Sequence, residues 1–169
     1  MQNVISLPAY TEHAKLAEKY QQAVALNNLH HDRNAALLHA IYFRCIEVPT
    51  PVPVGGALEI ALNNGIIGGV ENLVSDLITI ANGPTDVKWA ILSLDILTRQ
   101  LVLDQTTDHD SFGVAAIPVM AFDLYEHAYW MDYGTNRAAY AEAFVAGLNW
   151  AEVDRRLTSA QKISSGVVL

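Results

Sequence analysis

The sequence predicts an α+β fold, with an N-terminal antiparallel helical hairpin followed by a C-terminal part in which helices flank a small three-stranded antiparallel sheet. Three observations carry this reading. Residues from Thr11 to Val48 repeat apolar side chains at helical spacing on both sides of a polar break. "PTPVPVGG", residues 49–56, cannot continue a helix. Three short β-rich runs then cluster between Lys88 and Phe122, with helical patterns before and after them. The expected division is a hairpin over 1–48, a linker over 49–56 and an α/β part over 57–169.

The first helix is expected from Thr11, a capping residue, to about Leu29, with Leu16, Tyr20, Ala23, Val24 and Leu26 near one stripe. "NNLHHD" supplies turn chemistry, and Asn34 to Val48 resumes the period through Leu38, Ile41, Tyr42 and Cys45. Between Gly55 and Ala81 two short helices are expected around "NNGIIGG", whose glycines lack the Lys-Ser/Thr ending of a phosphate-binding loop. "KWAILSL", "QLVLDQT" and "AIPVMAF" read as strands joined by hairpin-length connections, and "RAAYAEAFVAGLNWAEVDRRL" returns to helix.

Composition narrows the function. A formal net charge of −8 with scattered Lys and Arg disfavours nucleic acid, which requires a basic stripe. No apolar run is long enough to span a bilayer, and the first ten residues carry no basic leader, so a soluble cytoplasmic protein is expected. The single cysteine, Cys45, reads as a small buried hydrophobe. Hydrophobic residues make up 51% of the chain against 17% charged, a balance that points to a surface covered by another copy.

"AFDLYEHAYWMDY" places Asp123 and His127 four residues apart where the third strand ends. Carboxylate plus imidazole is a ligand pair for zinc, manganese or non-haem iron, and equally the makings of a structural Asp–His hydrogen bond. The wider stretch "DLYEHAYWMDYGTNRAAYAEAFVAGLNW" resembles the C-terminal signature of the iron/manganese superoxide dismutase family. That resemblance implies Asp123 and His127 as ligands to one iron or manganese ion per subunit. It also implies a homodimer in which Glu126 and His127 lie near the interface. "NAALLHAIYF" resembles the family's second-helix ligand segment and implies His39 as a further ligand. "DHDSF" falls where some iron-type members carry a histidine, which implies His109 as a catalytic donor to metal-bound solvent. Trp89 falls at the family's aromatic wall, although "GPTDVKW" lacks the family's glycines. Trp130 stands where the family usually has a second tyrosine.

The family's first-helix ligand has no matching stretch. His13 is followed by Tyr20 at seven residues rather than eight. With a turn centred near residue 30, the position opposite His39 is near Gln21, and His13 lies roughly 12 Å further along the axis at about 1.5 Å per residue. Glu18 is then the preferred fourth ligand, with Gln21, Gln22 and His13 as alternatives. The implied activity is disproportionation of superoxide to oxygen and peroxide. Two histidines and an aspartate would also suit a mononuclear non-haem oxygenase or oxidase, and a metal-free dimer would keep the same residues as a hydrogen-bonded cluster.

Overall fold

The computed structural model describes residues 4–25 and 30–166. Among these residues the elements are α1 (Leu7–Ala25), α2 (His30–Cys45), α3 (Ala57–Asn64), α4 (Val70–Asn82), β1 (Trp89–Asp95), β2 (Leu101–Thr106), β3 (Ala116–Asp123), α5 (Glu126–Tyr133), α6 (Arg137–Ala146) and α7 (Trp150–Ser165). The expected α+β class is the observed one. Leu26 and the Asn27–Leu29 part of the expected turn lie outside the described residues.

α1 begins four residues before the expected Thr11. Ser6 does the capping, its hydroxyl accepting the Ala9 amide at 3.3 Å. Pro8 is tolerated because the first-turn amides have no intrahelical partner. Thr11 lies inside the helix and its hydroxyl donates back to the Leu7 carbonyl at 2.8 Å. α2 also begins early, at His30, because Asp32 sets a carboxylate in its first turn, where the helix dipole favours negative charge. Its buried residues Ala35, Leu38, His39, Ile41, Tyr42 and Cys45 repeat every three or four positions, and this face packs on α1 and β3.

The sheet runs in the order β2-β1-β3, with both pairings antiparallel. The β1–β2 connection is the expected tight turn. Asp95 closes it by accepting the amides of Leu97 (2.9 Å) and Thr98 (2.7 Å) on Oδ1. The β2–β3 connection is not a hairpin: both strands run antiparallel to β1, which lies between them, so residues 107–115 cross back along β1 from its Trp89 end to its Asp95 end. β1 is buried on both faces from Trp89 to Leu94, which explains its near-continuous apolar run. Pro118 lies on the edge strand β3, beside a register shift opposite Leu92 and Ser93, where the missing amide breaks no central ladder.

Two asparagines start the last helices. Asn136 accepts the Ala139 amide at 3.1 Å and Asn149 accepts the Glu152 amide at 3.1 Å. The proline-rich segment is tied at one end by a bridge between Thr50 and Asn149, and just past its other end by the Leu58 amide donating to Asp154 at 2.8 Å. Phe144 of α6 stacks on Phe122 of β3 at 3.9 Å between ring centroids, and Tyr42 of α2 stacks on Phe144 at 6.1 Å. This aromatic layer joins the hairpin to the sheet, each fully buried ring contributing about 1.5–3 kcal/mol. Among the described residues no helix is long and apolar enough to cross a membrane.

Candidate metal centre

Asp123 is the last residue of β3, and the strand register sets it opposite Trp89, the first residue of β1. Its Oδ1 accepts the Tyr125 amide at 2.9 Å, a contact that turns the chain into α5 and brings His127 back over the carboxylate. The Tyr140 hydroxyl donates to the Asp123 carbonyl at 2.8 Å and sits 3.1 Å from the Tyr42 hydroxyl, so the backbone of the residue is held as well.

Oδ2 is left facing three imidazoles. It lies 2.9 Å from Nε2 of His13, 3.2 Å from Nε2 of His127 and 3.4 Å from Nε2 of His39. The four residues offer one ligand atom each, all within 4.8 Å of one another. His13, His39 and Asp123 are buried, while the His127 side chain is 29% exposed. Burial alone would raise the Asp123 carboxyl, but the His127 and His13 imidazoles outweigh it and hold the group ionised.

The tautomer of His39 tests whether a cation fits. Its Nδ1 lies 2.7 Å from the Ala35 carbonyl, an acceptor only, so Nδ1 carries the proton. Burial lowers the His39 pKa to about 4, which keeps the ring neutral at pH 7 and leaves Nε2 bare. That lone pair faces Asp123 Oδ2 and His127 Nε2, each at 3.4 Å. Protons could link these atoms only pairwise, whereas one central cation satisfies all four donors together. Three imidazole nitrogens and one carboxylate oxygen suit a borderline divalent or trivalent first-row ion.

The expected ligands His39, Asp123 and His127 therefore converge. The fourth member of the cluster is His13, and Glu18 is not part of it: Glu18, Gln21 and Gln22 are exposed on α1. The expectation placed the hairpin turn too late. The midpoint between the end of α1 and the start of α2 falls between residues 27 and 28. The position facing His39 is then residue 16, and His13 is about 4.5 Å away along the axis, a distance that a side chain spans.

His109 lies in the β2–β3 connection with its ring buried. The Trp89 indole Nε1–H donates to His109 Nδ1 at 3.0 Å. Because an indole can only donate, Nδ1 must accept, and the neutral ring carries its proton on Nε2. Burial and the neighbouring His31 lower the His109 pKa to about 4, so the neutral form prevails at pH 7. The His109 and His39 rings are 5.8 Å apart.

Two tyrosines escape the sequence reading. Tyr20 stacks on His39 at 5.4 Å and meets His109 edge-on at 5.4 Å. Its seven-residue spacing from His13 is about two helical turns and so puts both on one face of α1, the signal in the sequence that links them. Tyr125 stacks between His109 at 5.1 Å and His127 at 5.2 Å. Burial pushes the Tyr125 hydroxyl up to about 12 and, with Asp32 and Asp123, raises Tyr20, so both phenols keep their protons at neutral pH. Glu126 and Trp130 are exposed on α5.

The family profile "Iron/manganese superoxide dismutases, C-terminal domain" matches residues 55–156. Among curated proteins, the chain is 35% identical over 130 residues to "Superoxide dismutase [Fe]" of Aquifex pyrophilus, covering 75% of this chain and 58% of that one. It is 30% identical over 131 residues to "Superoxide dismutase [Fe]" of Cupriavidus metallidurans, with 75% and 64% covered. It is 27% identical over 163 residues to "Superoxide dismutase [Mn]" of Mycobacterium lepraemurium, with 95% and 78% covered. The chain thus spans about three fifths of the length of the two iron-type relatives.

Proposed function

Because the chain belongs to the iron/manganese superoxide dismutase family, we propose that it binds one iron or manganese ion through His13, His39, Asp123 and His127 and disproportionates superoxide. The observation that carries this reading is the convergence of three Nε2 atoms on a single oxygen of Asp123. A four-donor cluster also favours it over an oxygenase built on a three-residue facial triad, because His13 fills a position that such an enzyme leaves open.

Held by these residues, iron or manganese would supply the one-electron couple that the disproportionation requires. The chain's own residues supply the rest. Two protons are taken up for each peroxide formed, and the His109 Nε2–H, fixed by Trp89, is a donor near the ligand cluster. Tyr20, still protonated and stacked on His39, is a second. The Lys88 ammonium lies 5.6 Å from the centre of the Tyr125 ring, a positive charge that offsets locally the acidic character of the whole chain for an anionic substrate.

The same reading includes a homodimer with α5 at the contact. It is supported by the exposed Glu126, the partly exposed His127, and the apolar Trp130 and Met131, which are 53% and 56% exposed on that helix. The lone cysteine fits a reducing, cytoplasmic setting. Stopped-flow decay of superoxide with iron- or manganese-loaded protein tests the activity. Accelerated decay that disappears in His39→Ala is expected; decay no faster than with free buffer, at full metal loading, would refute it.

A further inference from the structure

We propose that Asn34 and His31, in the first turns of α2, are positioning residues for His109 and act through Asp110; the functional consequence rests on the dismutase reading above. The loop around His109 makes its own shape locally. Asp108 Oδ1 accepts the amides of Asp110 (2.7 Å) and Ser111 (2.8 Å), and the Thr106 hydroxyl donates to the Asp108 carbonyl at 2.7 Å. These bonds shape the loop without fixing it to the helices. Asp110 supplies that link: the Asn34 side-chain amide donates to its Oδ1 at 3.0 Å, and His31 Nδ1 lies 3.5 Å from its Oδ2. His31 also meets the His109 ring edge-on at 4.7 Å.

Asp110 is adjacent to His109 in sequence, so a grip on the first restrains the second. Asn34 is five residues before His39 on the same helix. α2 therefore sets a cluster ligand with one part of its length and clamps the His109 loop with another, coupling the two imidazoles through one rigid element. The His31 and Asp110 side chains are each 45% exposed, so the contact contributes little to global stability. Its effect is expected in the geometry of His109 instead, and the Trp89–His109 hydrogen bond reports that geometry.

The test uses the full chain without metal, labelled with nitrogen-15. Three tryptophans give three indole signals, and Trp89→Phe assigns the one of interest. Asn34→Ala and Asp110→Ala are expected to move the Trp89 indole resonance and raise its solvent exchange rate about tenfold. The Trp150 indole, buried in α7, should stay unchanged and so report that the fold persists. Asp110→Asn keeps an acceptor oxygen for Asn34 and is expected to stay close to wild type. Wild-type Trp89 behaviour in both alanine variants would overturn the clamp, as would Asp110→Asn matching Asp110→Ala. If an alanine variant also loses the Trp150 signal, Asn34→Asp, which sets two carboxylates together, replaces it with the same two outcomes. Azide titration of iron-loaded Asn34→Ala separates the two readings: a moved Trp89 signal with azide affinity within twofold of wild type keeps the clamp and overturns the role given to His109.

Discussion

Removing one oxygen atom tests how firmly the fold holds its central carboxylate. Tyr140 and Tyr42 are fully buried, and the Tyr140 hydroxyl donates to the Asp123 carbonyl while its oxygen is the neighbour of the Tyr42 hydroxyl. Tyr140→Phe keeps the ring, and with it the contacts to Phe122 at 5.2 Å and Tyr129 at 5.5 Å, so it opens no appreciable cavity. It does leave two buried polar groups, the Asp123 carbonyl and the Tyr42 hydroxyl, short of a partner. At about 1–3 kcal/mol for each buried group left unsatisfied, and allowing for partial relaxation, the expected loss is ~3 kcal/mol. Tyr42→Phe removes the outer member alone and should cost about 1 kcal/mol. The double variant should lose about 1 kcal/mol less than the two single losses combined, because the group stranded by Tyr140→Phe is then absent. Urea denaturation of the metal-free protein measures all three, and the midpoint of thermal unfolding for Tyr140→Phe should fall by roughly 6–12 °C. A Tyr140→Phe variant within about 0.5 kcal/mol of wild type would refute the reasoning, since the desolvated groups would then have found other partners.

Cys45 is buried and its thiol is pushed up to about 12 by that burial, so iodoacetamide should leave the native protein unlabelled and modify it only in denaturant. Rapid native labelling would contradict the packing described. Gly147→Ala should destabilise by about 1–3 kcal/mol in urea melts, because a Cβ there would run into the Val4 side chain and the Ala143 carbonyl. Phe144→Ala removes the ring stacked on Phe122 and should cost about 3–5 kcal/mol, the price of a cavity between hairpin and sheet. Adding iron or manganese to metal-free protein should raise its melting temperature in a concentration-dependent way, and Asp123→Ala should abolish that rise.

Much of this architecture is legible in the sequence. The three strands announce themselves through short apolar runs bounded by polar turns, and the Asp123–His127 spacing marks the candidate site because a strand end and a following helical turn bring those side chains together. The strand order is not legible: β2 and β3 look like consecutive hairpin partners, yet β3 crosses over to pair with the other edge of β1, which takes the centre. His13 was obscured for a related reason. Its pairing with His39 depends on where the hairpin turns, and a shift of two to three residues in that centre moves the facing position twice as far along α1. The tautomer of His109 has no local signature at all, since Trp89 is twenty residues away and reaches it only through the β1–β2 register.

The central claim is that one cation is shared by His13, His39, Asp123 and His127. Elemental analysis of protein produced in iron- and manganese-supplemented medium tests it most directly when wild type, Asp123→Ala, His13→Ala and Glu18→Ala are compared. The account predicts about one iron or manganese per chain in wild type and in Glu18→Ala, near zero in Asp123→Ala, and a lower content in His13→Ala, which loses one of the four donor atoms. Wild-type metal content in Asp123→Ala, or loss of metal in Glu18→Ala with His13→Ala unaffected, would contradict it.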